Sequence, residues 1–427
     1  MSGRRNSRCP QGSVQQQGFT LLELTVALAI SATILILVLE LLDLNQRVGQ
    51  VQTDLATVQQ AERSVHSLLS DRIRMTGRGG LPLALSLSVA NNVADDYEIA
   101  GNPTVDGTDV LRLRGVFTGL YLVDTNNLNA FDYDDVANTG TVILDSLIPT
   151  RIGRQPLDAL EDALADNRPV PVILRSSTNN NTYAVVEMRP TSTVVATDVN
   201  GDGSVEAWEK RATIRFSTAT NVGTHNEAYL NLSSTPGVWP ATMTRVGSVG
   251  ILQEFRYYVR DGNTAVDGNR PSLSRAEVYP GTNPEVVVGD AANGRIDIAD
   301  NVLDLQIERG FDVDLDLILD EDFDELDADE WLGNSPDDTY PAVVGLPVTL
   351  EHVPTFTAAG WDFGVMTHVA FTTLVGTDRP SIRYVAPAID ALADHDYDED
   401  DSPTDDELIE RRFRRRQLRS VVDLRNL

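Results

Sequence analysis

Lysine and cysteine are almost absent from this chain of 427 residues. Lys210 is the only lysine among 34 basic residues, and Cys9 is the only cysteine. A P-loop that binds nucleotide phosphates requires the sequence Gly-Lys-Ser/Thr, whereas Lys210 is followed by Arg211, so a P-loop NTPase is excluded. A single cysteine also excludes an internal disulfide framework and a cysteine-rich metal site.

Positive charge as a whole is scarce. The chain has 34 basic and 64 acidic residues, which gives a formal net charge of −30 at pH 7. Phosphate backbones bind lysine and arginine, so we expect no nucleic-acid partner. The composition, 41% hydrophobic and 23% charged, is typical of a globular protein rather than a disordered one. The length fits one large domain or two or three smaller ones.

The common signatures of catalysis are missing as well. The five histidines show no HExxH spacing, and the sequence contains neither a Gly-x-Ser-x-Gly elbow nor a Gly-x-Gly-x-x-Gly loop. Carboxylates are so numerous that no pair stands out as a glycosidase dyad. We therefore expect a protein that is not an enzyme.

Residues 19–42 form one long apolar run, with 18 apolar residues among 24. As a helix this run would span about 36 Å, enough to cross a bilayer core of about 30 Å. Arg4, Arg5 and Arg8 precede it, and residues 1–18 contain no acid, which predicts a cytoplasmic N-terminus. A cleaved secretory signal is the alternative, but no small-residue cleavage site follows the run. We therefore predict a membrane anchor.

Glu23 lies only five positions into this run. An ionised carboxylate in lipid is costly unless it has a partner. Either the side chain reaches water at the membrane surface, or a positive group meets it in an assembled state.

The segment Gly18-Phe19-Thr20-Leu21-Leu22-Glu23-Leu24 resembles the processing motif of type IV prepilins and pseudopilins. The resemblance implies that prepilin peptidase cuts between Gly18 and Phe19 on the cytoplasmic side and methylates the new amine of Phe19. It also implies that Glu23 pairs with an N-terminal amine inside the growing filament. Residues 1–18 would then be a leader that is removed.

The apolar pattern continues as a helical stripe beyond the membrane. No proline occurs between residues 19 and 81, and a glycine-rich segment with a proline follows at residues 77–82, which predicts one helix over residues 19–76. The apolar residues of the stripe recur at steps of three and four: Leu44, Val48, Val51, Leu55, Val58, Val65, Leu68 or Leu69, and Ile73. The stripe is explained either by a separate coiled-coil stalk or, as in pilins, by packing on the chain's own β-domain.

The remaining residues, 77–427, favour a β-rich extracytoplasmic domain with insertions. Short β-like runs alternate with Asn, Asp, Gly and Pro clusters that are typical of turns, and a short helix is predicted at residues 156–166. The fold class is therefore α+β, a long helix followed by a mainly antiparallel sheet domain. The predicted strands are 110–116, 141–144, 171–174, 183–188, 212–216, 228–232, 253–260, 274–278, 303–309, 365–374 and 417–424.

Short segments in this domain resemble those of PilW-type minor pilins and, more distantly, the J-type minor pseudopilins of type II secretion. They are GTDVL (107–111), YYV (257–259), PSLSR (271–275), IADNVLDLQ (298–306) and VVDLRNL (421–427).

The resemblance implies a structural and assembly subunit of a type IV pilus. Its partners would be prepilin peptidase, other minor and major pilins, and the inner-membrane assembly platform. It would start as a single-pass inner-membrane protein with a periplasmic C-terminal domain, and reach the pilus at the cell surface after assembly. A type II secretion pseudopilin and a pilin-anchored, calcium-dependent adhesin or binding module are the alternatives.

Residues 198–209 match the EF-hand loop pattern at every required position. Calcium takes six to eight oxygen ligands, which such a loop supplies from alternate side chains, while a glycine at the sixth position permits the sharp turn. The sequence therefore predicts a structural Ca²⁺ site between strands, with a solvated polar turn as the alternative. The predicted ligands are Asp198, Asn200, Asp202, Ser204, Glu206 and Glu209, and the glycine is Gly203.

Two further segments are strongly charged. Residues 312–330 contain 11 acids but place Leu317 where an EF-hand loop has its glycine, so we expect a solvated acidic loop; a second calcium site is the alternative. Residues 394–410 contain ten acids, and residues 411–425 contain seven arginines. This arrangement predicts that the acidic segment folds back on the basic one, and a basic surface for DNA or anionic lipid is the alternative.

Overall fold

A computed structural model describes most of the chain. The residues it describes are 20–94, 97–99, 101–123, 129–146, 157–165, 170–179, 181–199, 201–206, 208–218, 229–262, 270–281, 287–288, 295–312, 331–332, 365–377, 380, 384–389, 391–397 and 411–424.

One long helix, α1 (Leu21–Met75), opens the described chain. It ends where the sequence predicts, because Gly77, Gly79 and Gly80 follow it with positive φ, a conformation that stops a helix at low cost only for glycine. The chain divides into two compact units, Met1–Ala56 and Thr57–Leu427. The second unit therefore contains the last part of α1 as well as the β-strands.

Two short helices and one 3₁₀ turn accompany the strands: α2 (Leu83–Ser86), α3 (Asp158–Ala165) and the 3₁₀ turn Tyr229–Leu232. The strands are β1 (Leu87–Ala90), β2 (Glu98–Ile99), β3 (Asn102–Pro103), β4 (Val110–Gly115), β5 (Leu120–Leu122), β6 (Phe131–Asp134), β7 (Thr139–Asp145), β8 (Val170–Ser176), β9 (Tyr183–Met188), β10 (Thr193–Ala196), β11 (Lys210–Ser217), β12 (Val246–Ile251), β13 (Gln253–Arg260), β14 (Ser272–Val278), β15 (Arg295–Asp300), β16 (Val302–Asp312), β17 (Trp331–Leu332), β18 (Val365–Gly376), β19 (Ala391–Leu392), β20 (His395–Asp396) and β21 (Arg415–Asp423).

Three antiparallel sheets organise these strands. The first sheet has the order β1-β4-β13-β14-β15, and the third sheet has the order β17-β16-β18-β21. The second sheet has the order β5-β12-β8-β9-β11-β7-β6, with β10 paired to β11. Two small hairpins, β2-β3 and β19-β20, lie outside these sheets. The predicted α+β class, a long helix followed by mainly antiparallel sheet, is confirmed.

The C-terminal half of α1 packs on the first and third sheets. Val65, Leu69 and Ile73 are completely buried in one core, together with strand residues such as Leu111, Tyr257, Ile307 and Phe371. This half of the apolar stripe therefore packs on the chain's own β-domain, as in the pilin interpretation. The N-terminal part of the stripe differs, because Leu44 and Val48 stay 57% and 47% exposed.

Two polar side chains of α1 also enter this helix–sheet contact. Glu62 is 2% exposed, and Arg416 Nε on β21 lies 2.9 Å from its Oε2. His66 contacts the hydroxyl of Ser420 at 2.5 Å and that of Thr373 at 2.9 Å. Burial lowers the pKa of His66 to about 4, so its imidazole is neutral at pH 7. These contacts tie α1 to β18 and β21 at one position.

The second sheet has its own core. Buried side chains from β7, β8, β9, β11 and β12 meet Leu157 and Leu160 of the α3 region. The predicted helix over residues 156–166 is present as α3, and β9 and β13 match their predicted bounds.

One predicted strand, 228–232, is wrong. Residues Tyr229–Leu232 form the 3₁₀ turn instead. β9 pairs with β11 only at residues 187 and 188. The residues after the 3₁₀ turn bond the earlier part of β9 with side chains, because Val185 N donates to Ser233 Oγ at 2.8 Å and Tyr183 N donates to Ser234 Oγ at 3.2 Å. Two serine hydroxyls thus replace the ladder that a further strand would have provided.

Candidate functional site: the N-terminal segment and the acidic loops

Thr20 and Glu23 form a hydrogen-bonded cap at the start of α1. The Thr20 amide and hydroxyl donate to Glu23 Oε2 at 2.9 and 3.0 Å. The Glu23 amide donates to Thr20 Oγ1 at 3.3 Å. This reciprocal pattern is a capping box, which satisfies amides that have no partner within the helix. The predicted cleavage residues Gly18 and Phe19 lie outside the described residues.

The first part of α1 is apolar and exposed. Leu21, Leu35 and Leu41 are 82%, 61% and 57% exposed, and their apolar neighbours are similar. The helix is long and apolar enough to cross a membrane, and none of its most apolar window is buried. Exposed apolar surface of this extent requires lipid or other helices around it.

The predicted calcium loop connects the two strands of a hairpin, β10 and β11. The Asp198 carboxylate accepts hydrogen bonds from two backbone amides of the loop. Gly201 N donates to its Oδ1 at 2.6 Å, and Gly203 N donates to its Oδ2 at 2.8 Å. Gly203 has a φ of +85°, the left-handed conformation that the sharp turn at the sixth position requires. The loop therefore has a compact backbone with its first acid at the centre.

The other acids of the loop also accept local hydrogen bonds. Ser204 donates to Asp202 Oδ1 from its amide at 2.8 Å and from its hydroxyl at 2.7 Å, and the Trp208 indole donates to Glu206. Glu209 is completely buried, and its carboxylate accepts from the amides of Glu206 at 2.9 Å and Val199 at 3.3 Å.

Asn200, the predicted ligand at the third position, lies outside the described residues. Within the described part of the chain, no group of three or more His, Cys, Asp or Glu side chains is arranged to hold a metal ion. The Ca²⁺ site therefore stays a prediction. Backbone amides donate to the carboxylates of Asp198, Asp202 and Glu209.

The acidic segment 313–330 lies outside the described residues, and so do residues 398–410. Several described arginines of the basic segment contact other groups. Arg416 pairs with Glu62, and Arg419 pairs with Glu308 and lies over the Trp331 ring. Arg411 Nε donates to the carbonyl of Ala386 at 3.0 Å. β21 is thus held to α1 and β16 by charge-assisted contacts.

The capping role of Thr20 was missed at the level of sequence. The spacing Thr20-x-x-Glu23 directly before an apolar run is the signal of a capping box.

Comparison with known proteins gives a family match at the N-terminal segment. The model of the prokaryotic N-terminal methylation motif matches residues 14–39, a segment that includes Gly18, Phe19 and Glu23. Searches of curated proteins and of solved structures found no match. The motif marks pilin-type structural proteins rather than an enzyme family. Together with the apolar N-terminal helix, it supports a type IV pilin-like or pseudopilin protein that prepilin peptidase processes.

Proposed function

We propose that this chain is a minor pilin of the PilW type, a structural and assembly subunit of a type IV pilus. The methylation motif on an exposed apolar helix carries the proposal. The same helix continues into the core of a β-domain, which leaves its apolar N-terminal part available for lipid or for neighbouring helices.

The proposed mechanism has three steps. The chain inserts with residues 1–18 in the cytoplasm and the β-domain in the periplasm. Prepilin peptidase then cuts after Gly18 and methylates Phe19. The assembly platform finally moves residues 19–42 from the inner membrane into a helical filament, where contacts with other minor and major pilins replace contacts with lipid.

Two alternative functions use the same anchor. A type II secretion pseudopilin would carry the same motif. A pilin-anchored binding module would use the large β-domain to bind its ligand. The neighbouring genes distinguish the proposed minor pilin from the pseudopilin, since a minor-pilin cluster favours the pilus and a secretion operon favours the pseudopilus.

Processing gives the most direct test. In cells with active prepilin peptidase, we expect the purified protein to begin at N-methyl-Phe19, as read by mass spectrometry of the intact chain and its N-terminal peptide. Gly18→Leu should block cleavage, because a small residue stands at the scissile bond, whereas Gln17→Leu is the matched control and should be processed normally. An intact leader on the unaltered protein would contradict the assignment.

We also propose that residues 198–209 bind a structural Ca²⁺ ion. Asp198, Asp202, Glu206 and Glu209 concentrate four carboxylates in twelve residues, and their mutual repulsion favours a bound cation. The left-handed turn at Gly203 and the central position of Asp198 support this proposal. An extracytoplasmic domain can meet calcium near 1 mM, which would fill a site with a Kd of about 10⁻⁴ M to about 90%.

Calcium should therefore raise the melting temperature of the chain. At a tenfold excess over its Kd the ion adds about 1.4 kcal/mol to the free energy of unfolding. Asp198→Ala together with Glu209→Ala should remove most of the difference between about 1 mM calcium and chelator, because the pair removes the first and the closing ligand of the loop. Glu98→Gln, an exposed carboxylate on β2, is the control and should leave the difference unchanged. A melting temperature independent of calcium, with no binding heat in calorimetry, would leave an ordinary polar turn.

A further inference from the structure

An open groove lies along the edge of the second sheet, between β6 and the segment 237–244. It has a volume of about 870 Å³, within the range of small-molecule sites. This surface, the aromatic groove, is lined by Phe131, Asp132, Tyr133, Asp135, Asn138, Thr218, Leu230, Gly237, Val238, Trp239, Ala241, Met243 and Thr244.

The groove contains a layer of nearly parallel aromatic rings. The Trp239 ring lies 4.3 Å from Tyr133, 5.5 Å from Phe216 and 6.1 Å from Phe131, measured between ring centroids. The corresponding interplanar angles are 16°, 21° and 17°. Phe216 is completely buried, whereas the other three rings are partly exposed. The layer is therefore anchored in the core and reaches the surface.

The sheet itself fixes this layer. Tyr133 on β6, Gly140 on β7 and Phe216 on β11 lie in one row across the strands. The Phe216 ring lies over Gly140, where an added Cβ would come within 2.1 Å of it. Tyr133 and Phe216 stack at 6.3 Å and 8°, and the Tyr133 hydroxyl bonds Thr218 Oγ1 at 2.9 Å. Ring positions held in this way are preorganised for a ligand.

Polar side chains surround the aromatic layer. Asp132, Asp135 and Asn138 come from β6 and its turn, and Thr244 comes from the opposite wall; all four are exposed. Carboxylates accept hydrogen bonds, while an amide and a hydroxyl both donate and accept. Such a rim can bind a ligand that carries many hydroxyl groups.

We propose that the aromatic groove binds a neutral oligosaccharide. One face of a pyranose ring presents only C–H groups, whose slight positive charge is attracted to the negative face of an aromatic ring. Its hydroxyl groups point outward, where the polar rim can bond them. Among the described residues that line the groove none is basic, and the chain carries a net charge of −30, so acidic sugars would be repelled.

The orientation of the rings favours an oligosaccharide over an organic cation as the ligand. Quaternary ammonium groups bind over aromatic faces, in cages that surround the cation. Here the ring planes lie within 21° of the Trp239 plane, and the Trp239 and Tyr133 centroids are only 4.3 Å apart, so the rings stack on one another instead of forming the walls of a cage. This site goes beyond filament assembly and does not depend on it.

The test uses the full chain in detergent, titrated by calorimetry with cellohexaose, maltohexaose, mannohexaose and hexa-N-acetylchitohexaose. At about 10 mM sugar, even a ligand with a Kd near 1 mM is mostly bound. We expect saturable binding of at least one of these, and no binding of hexagalacturonate, an acidic sugar. Trp239→Ala should weaken binding at least tenfold, because it removes the largest ring of the layer, while Trp239→Tyr should keep part of the affinity.

Controls separate loss of the site from loss of the fold. Trp208→Ala removes a tryptophan from the acidic loop instead of the groove, and should bind sugar like the unaltered chain. Each variant must keep the melting temperature of the parent within about 3 °C, the shift of a typical surface change. Binding of none of the four neutral sugars, binding that survives Trp239→Ala, or binding of choline alone would each overturn the proposal.

Discussion

Glu254→Ala is expected to lower the free energy of unfolding by about 3–5 kcal/mol, the usual cost of removing one partner from a buried ion pair. Glu254 is completely buried on β13. Arg114 Nε lies 2.6 Å from its Oε2, and a terminal nitrogen of Arg256 lies 2.9 Å from its Oε1. Gly281 N also donates to Oε2, at 3.1 Å.

The protonation of Glu254 explains the size of this effect. Burial by itself raises its pKa, but the charges of Arg114 and Arg256 and the hydrogen bonds from Arg114 and Gly281 hold the pKa below the usual value. The carboxylate is therefore ionised at pH 7. Its contribution to stability is present above the pKa of the unfolded chain and is lost as the pH falls through the lower pKa of the folded state. The alanine variant leaves Arg256, 2% exposed, without this counter-charge.

Urea unfolding of the purified chain at pH 7 measures the effect. Glu161→Ala is the matched control, because Glu161 pairs with Lys210 but is 51% exposed, and such a surface pair contributes about 0–1 kcal/mol. Glu254→Gln should be nearly as destabilising as alanine, since it keeps the shape but not the charge. Equal unfolding midpoints for Glu254→Ala and Glu161→Ala would contradict this account.

Periodic elements were predictable because their signal is local. The apolar steps and the glycine-rich stop predicted a helix over residues 19–76, and α1 ends at Met75. The β-branched and aromatic residues of β13 predicted its bounds. β12 was missed. It contains Gly247 and Gly250, which weaken a strand pattern, but Gly250 is required because an added Cβ would come within 2.5 Å of Val116.

Sites that depend on distant residues could not be predicted in the same way. Glu23 could be proposed as an assembly residue because the motif that contains it is contiguous in the sequence. Arg114 and Glu254 are 140 residues apart and resemble ordinary surface charges until β4 pairs with β13. The aromatic layer likewise joins β6, β11 and the Trp239 loop, whose proximity depends on the order of the second sheet rather than on any sequence pattern.

Glu23→Ala is expected to abolish incorporation into filaments while leaving membrane insertion and cleavage intact. In the proposed filament, Glu23 meets the N-terminal amine of a subunit, and a carboxylate among apolar helices is tolerable when an amine bonds it. The structure adds a second role, because the same carboxylate caps α1 through Thr20. Alanine removes both roles, so this variant alone cannot separate them.

Two further variants separate the cap from the charge. Glu23→Gln keeps an oxygen that can accept from the Thr20 amide but cannot form an ion pair, whereas Thr20→Ala keeps the charge and removes the capping hydroxyl. If pairing with the amine drives assembly, Glu23→Gln should be lost from sheared filaments like Glu23→Ala, and Thr20→Ala should be incorporated at a near-normal level. Immunoblots of filament and membrane fractions measure both, with mass spectrometry to verify cleavage. The opposite ranking would mean that Glu23 acts as a helix cap. Normal incorporation of Glu23→Ala would favour a subunit at the filament tip or a Glu23 side chain that reaches water.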